Sequence, residues 1–505
     1  MPAIPFPPYE PDKNRFNSGA LPFVNNVVPA ADGWGPLSSI IPTPAIYAYL
    51  TDPESGSRLT DENGNRLIIG LDWSGIAGFL RLPEACTGMF AARRKDGVEV
   101  LFAGTASKLY KFDRTNLVWN DVSSTTYDSA VRWSYFRWGD VVYCQNGHDP
   151  EQKFNIETDS VFSDNPSAPI CKVTAVVGNF VFRFNIVSWA AEGITNQPLM
   201  FMCSALENPE DNVVGDYNWC DFQFVPVGDE IMAVVPVTGG AHIWLRSGVV
   251  PMSVVMTNGV TFVLGDVDTS RGTSAPYSLC SFGQDRYIIY TDDGLWSYNS
   301  GFTPIGQDRI NRTFLANCDQ DTFEDILSMN DPENAVIWIQ YTNTDGERRM
   351  LGYQYNLDRF TASDISATAS FVCRTFVYAE SDPPILKANQ PRFSIIDSNG
   401  QLGYLVGDPL DARVMTNEVQ MGEVRSFENV ARLEGDPVDF MVTTITRDIK
   451  GGEPRKRQAE QPSSQTGAVP FSAEGQTHQW QIDIPAGAKW STVSGINVPS
   501  KPAGK

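Results

Sequence analysis

One unit recurs along this sequence, and it limits the folds open to the chain. In "LFAGTASKLYKFDRTNLVWNDVS", Leu101 to Ser123, Val98, Val100 and Phe102 alternate, Gly104 and Thr105 form a turn, and Leu109, Tyr110 and Phe112 return to Asp113. Period-two alternation bounded by turn residues is the pattern of paired, half-buried strands. The layout returns in "VVYCQNGHDPEQKFN" (Val141 to Asn155), "IIYTDDGLWSYN" (Ile288 to Asn299), "YTNTDGERRMLGYQYN" (Tyr341 to Asn356) and "FSIIDSNGQLGYL" (Phe393 to Leu405).

With the turn glycines as markers, Gly104 to Gly147 is 43 positions, Gly248 to Gly294 is 46, Gly294 to Gly346 is 52 and Gly346 to Gly400 is 54. These steps approximate a propeller blade, roughly 40 to 50 residues. The gap from Gly147 to Gly248 is 101 positions, room for two units, one holding "AVVGNFVFRF" (Ala175 to Phe184). Hairpins in any β protein favour Asn-Gly and Asp-Gly, so an all-β chain without a closed repeat is the competing reading. The expected fold is mainly β: a β-propeller body of roughly five to seven blades.

A chain of 505 residues suits several domains or one large closed repeat. At 42% apolar and 11% aromatic it can bury a sizeable core. Helical periodicity is scarce, the best candidate being "QDTFEDILSM" after Cys318. The net charge of -22, from 38 Lys and Arg against 60 Asp and Glu, argues against a protein that grips duplex nucleic acid. It does not exclude nucleic acid passing by without being held, since an acidic wall repels the backbone. The eight cysteines form no C-x-x-C pair, which favours scattered buried thiols in a reducing compartment.

Five prolines in the first eleven residues, without an apolar h-region, argue against a cleaved secretory signal, and no run is long enough for a membrane span. The expected division is 1–67, an N-terminal arm and platform segment; 68–410, the propeller; and 411–505, a C-terminal β-rich segment. Met1 to about Ile40 reads as an extended arm, at least part of Phe16 to Leu37 being expected to lie against the body close to the C-terminal strands and to help build a platform, with a polar loop over Leu50 to Arg66. The strands "DFMVTTITR" (Asp439 to Arg447) and "HQWQIDIPAG" (His478 to Gly487) flank a long exposed loop at 448–468. In that loop Arg455, Lys456 and Arg457 form a compact basic cluster, read as a solvated tip or as a contact for an acidic surface.

Catalytic signals are weak. His148, His242 and His478 lack metal spacing and read as surface or partly buried structural residues. A glycosidase reading needs two facing carboxylates. The pairs Asp266 and Asp268, Asp292 and Asp293, and Asp319 and Asp321 read better as turn caps. "DENGN" (Asp61 to Asn65) lacks the spaced ligands of a calcium loop. No enzymatic activity, cofactor or metal is expected.

"FNSGALPFVNNVVPAADGWGPL" (Phe16 to Leu37), "FAGTASKLYKFD…WNDVS", "RWGDVVYCQNGHDPEQKFN", "GTSAPYSLCSFGQDRYIIYTDDGLWSYNSGFTPIGQDRINRTF" (Gly272 to Phe314) and "HQWQIDIPAGAKWSTVSGINV" (His478 to Val498) together resemble the tail nozzle, or tail accessory factor, proteins of short-tailed bacteriophages. The likeness runs in patches over most of the chain, in the family's order, and leaves out Asp448 to Ala468. It implies a propeller with a β-rich platform formed by the N- and C-terminal segments. It also implies a hexameric ring below the portal and the head-to-tail adaptor, forming the distal part of the DNA ejection channel. Tail fibres or tailspikes and a tail needle or plug are the further partners it implies, with viral DNA passing unbound. The place would be the virion tail, assembled in the bacterial host cytoplasm. A glycan-binding or glycan-degrading propeller, tailspike-like or sialidase-like, and a cellular interaction hub are the alternative functions.

Overall fold

The computed structural model describes residues 4–16, 19–42, 47–49, 68–70, 81–113, 118–128, 132–215, 217–257, 260–374, 391–420, 425–450, 452–457, 460–463 and 466–503. Most of the expected polar loop, with "DENGN", lies outside them. The chain divides into two compact units. The first comprises Met1–Ile40, Arg286–Ser366 and Leu405–Lys505; the second comprises Ile41–Asp285 and Ala367–Tyr404.

The body is a β-propeller, with seven four-stranded sheets among the described residues. Four lie wholly in the second unit, spanning Gly88–Asp121, Ser134–Asp164, Ile170–Phe224 and Ile231–Leu264, and Leu327–Ser363 lies wholly in the first. Within these sheets each strand pairs with its sequence neighbour, so local turns set the register. All six marker glycines stand at or beside the turn joining a sheet's second and third strands. They are glycine for two reasons. Gly147 takes a φ of +77°, which favours glycine. At Gly104 a Cβ would meet Trp133 at 2.3 Å, so the ring can close over bare backbone. The 101-position gap is filled by the long Ile170–Phe224 sheet, whose equivalent turn holds Gly193 at φ +67°, while Gly178 stands one turn earlier.

Successive sheets of the second unit lock through aromatic side chains. Phe102 meets Phe154 and Phe162 of the next sheet edge-on, with centroids 5.2 and 5.6 Å apart. Phe262 likewise packs on Phe182 and Phe201 of the sheet before it. Phe102, Phe154, Phe182, Phe201 and Phe262 are fully buried, each contributing about 2–3 kcal/mol. A buried ion pair adds direction: Arg183 donates to both carboxylate oxygens of Glu151, at 2.8 and 3.0 Å, and to Asn212 and the Pro209 carbonyl. Removing either partner would strand the other charge, so the pair ties the Ser134–Asp164 sheet to the Ile170–Phe224 sheet.

The one α-helix among the described residues is Asn311–Asn317, not the segment after Cys318. Gln320–Asp325 forms a 3-10 turn instead, broken at Thr322 and started by Asp319, which accepts from the Asp321 N–H. Leu327–Asp331 then enters a sheet. Local acidic capping outcompetes helical propensity there.

In the first unit, N- and C-terminal segments build a platform of two sheets. One has the order Phe23–Asn25, Ala412–Met415, Thr477–Ile484, Met441–Arg447, Arg455–Lys456. The other runs Val27–Ala30, Gly33–Pro36, Val493–Asn497, Ser426–Gly435, Val469–Gly475, with Ile4–Pro5 paired to Val493–Asn497 and Ser500–Pro502 to Ser426–Gly435. In Thr477–Ile484, Trp480, Ile482 and Ile484 are buried and Gln481 and Asp483 are partly exposed, while Gln479 on the latter face is buried.

All eight cysteines are free and buried. Burial pushes the Cys86, Cys171 and Cys203 thiols up to about 12 despite nearby arginines, and a thiol held protonated by burial is inert. The native protein should therefore leave all eight thiols unreactive toward an aromatic disulfide reagent at neutral pH, and expose all eight in denaturant. Rapid labelling of any of them in the native state would show that its segment opens.

Candidate functional site

The carboxylate pairs named from sequence cap turns. Asp268 accepts from Ser270 N at 2.9 Å, which holds its carboxyl below the usual range. Asp293 accepts from Trp296 Nε1 at 2.8 Å beside the exposed Asp292. Asp319 starts the 3-10 turn with Asp321 beside it, and Asp266 is exposed next to a strand end. No group of three His, Cys, Asp or Glu among the described residues is placed to hold a metal ion. No helix among them is long and apolar enough to cross a membrane.

Of the histidines, His148 is exposed, His242 is 7% exposed and His478 is fully buried, contrary to the expected surface or partial burial of His478. Its strand turns it inward between the platform sheets, where Nε2 lies 2.7 Å from Ser426 Oγ and 3.2 Å from the Gly475 carbonyl, and Nδ1 lies 3.1 Å from Glu428 Oε2. Ser426 and Glu428 share one face of their strand because they are two residues apart. The set has the members of a hydrolytic triad. Its geometry is that of a structural cluster: Glu428 and His478 are close without hydrogen-bond alignment, both are fully buried, and Ser426 is 3% exposed. Burial pushes the Glu428 carboxyl up despite the imidazole.

The N-terminal arm is the more informative region. Its anchor is Asn26, fully buried at φ +55°. Asn26 N–H donates to the Ala362 carbonyl at 2.9 Å and Nδ2 donates to the Asp411 carbonyl at 2.9 Å. Its Oδ1 accepts from Ser363 Oγ and Asp364 N, and its carbonyl accepts from Leu37 N. One residue thus joins the arm, the outer strand of the Leu327–Ser363 blade and the start of the C-terminal segment. Beside it, Thr361 donates to the Val27 carbonyl and Arg359 to the Ala30 carbonyl. The arm covers that blade's exposed edge, the part of a sheet that otherwise pairs with strangers.

Two more contacts hold the arm. Asp12 accepts from Arg312 N at 2.7 Å and Thr313 N at 2.9 Å, capping the Asn311–Asn317 helix from roughly three hundred residues away in sequence. Arg309 pairs with Glu10 at 2.7 Å and with Asp358 at 2.9 Å. At Gly33 a Cβ would meet the Val493 carbonyl at 2.2 Å, so glycine lets the fully buried Trp34 sit against that strand. Sequence reasoning found the arm but not Glu10, Asp12 or Asn26. Their partners are too distant in sequence for any local pattern to mark them.

A cleft of about 700 Å³ opens in the platform, lined by Arg432, Pro437, Val438, Asp439, Phe440 and Pro462 among others. Val438 is 77% exposed at its mouth. Arg455, Lys456 and Arg457 are exposed, the first two on the edge strand of the five-stranded sheet.

No known family matches the chain as a sequence profile, and no curated relative matches it. Solved structures similar to it include BamB from Moraxella catarrhalis, at 12% identity over 75% of this chain and 92% of that one, with a TM-score of 0.34. BBS1N in complex with ARL6DN is similar at 11% identity, over 65% and 94% of the two chains, with a TM-score of 0.36. A mutant Aleuria aurantia lectin in complex with Fucα1-6GlcNAc is similar at 9% identity, over 56% and 96%, with a TM-score of 0.29.

Two measurements probe the platform. Asn26→Ala leaves several buried polar groups unpaired and should lower unfolding free energy by about 3 kcal/mol in urea melts. Asn26→Gly, which keeps the backbone conformation, should lose nearly as much; an unchanged midpoint would remove Asn26 as an anchor. For Glu428, a folded-state pKa raised above the usual 4.5 means that the folded protein holds this proton more tightly than the unfolded chain. Its contribution is greatest below the usual carboxyl range and falls as pH rises through the folded value. Glu428→Gln should therefore gain stability relative to the parent as pH rises above the usual carboxyl value of 4.5; a gap that stays constant or narrows would contradict this.

Proposed function

We propose that this chain is a structural virion protein: the tail nozzle of a short-tailed bacteriophage, assembled as a ring below the head-to-tail adaptor and forming the distal part of the DNA ejection channel. The observation that carries the reading is the arm. Residues from Ile4 to Pro36 supply strands to both platform sheets and cap a helix in the same unit, a use of chain that suits a body under mechanical load. The resemblance in "FNSGALPFVNNVVPAADGWGPL" falls on this same segment. The net charge of -22 supports the channel role, because carboxylates repel passing phosphates and give DNA nothing to grip. Tail fibres or tailspikes and a needle or plug would then attach to the outer and distal faces.

The test uses tail-deficient heads of a short-tailed phage carrying this gene, with portal and adaptor in place. Added full-length protein should bind these heads stoichiometrically, appear at the distal end by electron microscopy, and restore infectivity. Failure to bind, together with binding or cleavage of host polysaccharide by the isolated protein, would overturn the reading in favour of a glycan-directed propeller.

A further inference from the structure

Two solvent-facing patches of opposite character are left unexplained by the fold of a single chain. The first lies along the outer rim of the Ile170–Phe224 blade. There Val213, Tyr217, Phe224 and Val227 are 57%, 79%, 48% and 56% exposed. From Asp211 to Glu230 the sequence has five carboxylates and no Lys or Arg, and of these Glu230 is paired with Lys172 and Arg246. Asp211 and Asp229 bond only to neutral donors, Val213 N and Asn218 Nδ2 for the first, Glu230 N and Ser247 Oγ for the second. The second patch is the edge strand of the five-stranded platform sheet and the turn before it. Ile449 is 67% exposed there, next to Lys450, and Lys456 and Arg457 have no carboxylate partner among the described residues. In another basic run, Arg94 and Lys95 are already engaged with Glu157 and Asp140, and Arg93 donates to the Gly97 carbonyl.

We infer that these two patches meet head to tail between copies of this chain, the acidic, aromatic rim of the Ile170–Phe224 blade in one copy against the basic edge strand of the platform in the next. The contact rests on the ring reading proposed above and supplies its interface. A ring needs two unlike surfaces on every subunit, whereas a two-fold dimer sets one patch against itself. Self-pairing would oppose Asp211 and Asp229 with their own copies, and the Lys456 strand with its own, both like-charge contacts. Pairing one patch with the other brings opposite charges together and buries Tyr217 and Ile449, while each patch alone leaves large apolar side chains in water. A second copy is the favoured occupant because one acidic chain carries both halves of the match.

The experiment is sedimentation velocity on the full chain at low and high salt, with two variants whose folding is checked by circular dichroism. Tyr217→Asp breaks the first patch; the pair Lys456→Glu and Arg457→Glu breaks the second. Wild type should self-associate with concentration, about tenfold more weakly at high salt. Each variant alone should stay monomeric, and a 1:1 mixture should give a dimer and no larger species, because one intact rim then meets one intact edge. If Tyr217→Asp misfolds, Tyr217→Ser replaces it. A wild type that stays monomeric at low salt, a variant alone that assembles like wild type, or a mixture that stays monomeric would each overturn the inference. Failure to seat on adaptor-bearing heads would instead sink the nozzle reading and leave this contact standing.

Discussion

A strand with no core of its own survives only where its backbone groups and apolar side chains are taken up by something else. The first forty residues are in this position. They bring Phe6, Tyr9, Val24, Val27 and Trp34, all buried, but no two strands long enough to enclose them. Everything in the first unit follows from how they are accommodated. Asn26 turns the chain at positive φ between the two platform sheets, and every polar group of that residue is answered. Without that turn Phe23–Asn25 and Val27–Ala30 could not enter different sheets. The C-terminal strands would then lose an edge partner in one and a flanking hairpin in the other.

The propeller depends on a different economy, in which most strands pair with their neighbours in sequence. In most of its sheets successive strands pair through turns, and in the second unit neighbouring sheets pack through aromatic rings, as Phe102 does with Phe154 and Phe162. This is why the repeat was legible from sequence: turn glycines and alternating apolar residues are local signals, and the six markers kept their place in the repeat. The unit in the 101-position gap was harder to place because Gly178 sits one turn earlier than the glycine that continues the series. The helix was misplaced because Asp319 caps a 3-10 turn where propensity alone suggested a longer helix.

The platform was legible in part. Trp480, Ile482 and Ile484 announced a half-buried strand, and burial agrees. The burial of His478 at the start of the same strand was not, because it depends on Ser426 and Glu428, some fifty residues earlier and on the facing sheet. Asp12 and Glu10 are further cases: in sequence they are ordinary acidic residues of a proline-rich arm, and only folding brings them to the Asn311–Asn317 helix and Arg309.

The central claim is that the arm is a structural member of the platform rather than an appendage. Hydrogen–deuterium exchange on the isolated full-length chain tests it most directly. The account predicts that amides of Val24 to Ala30 exchange as slowly as those of Met441–Arg447, because both lie within the same pair of sheets. Exchange of the arm within seconds, while Met441–Arg447 stays protected for hours, would contradict it.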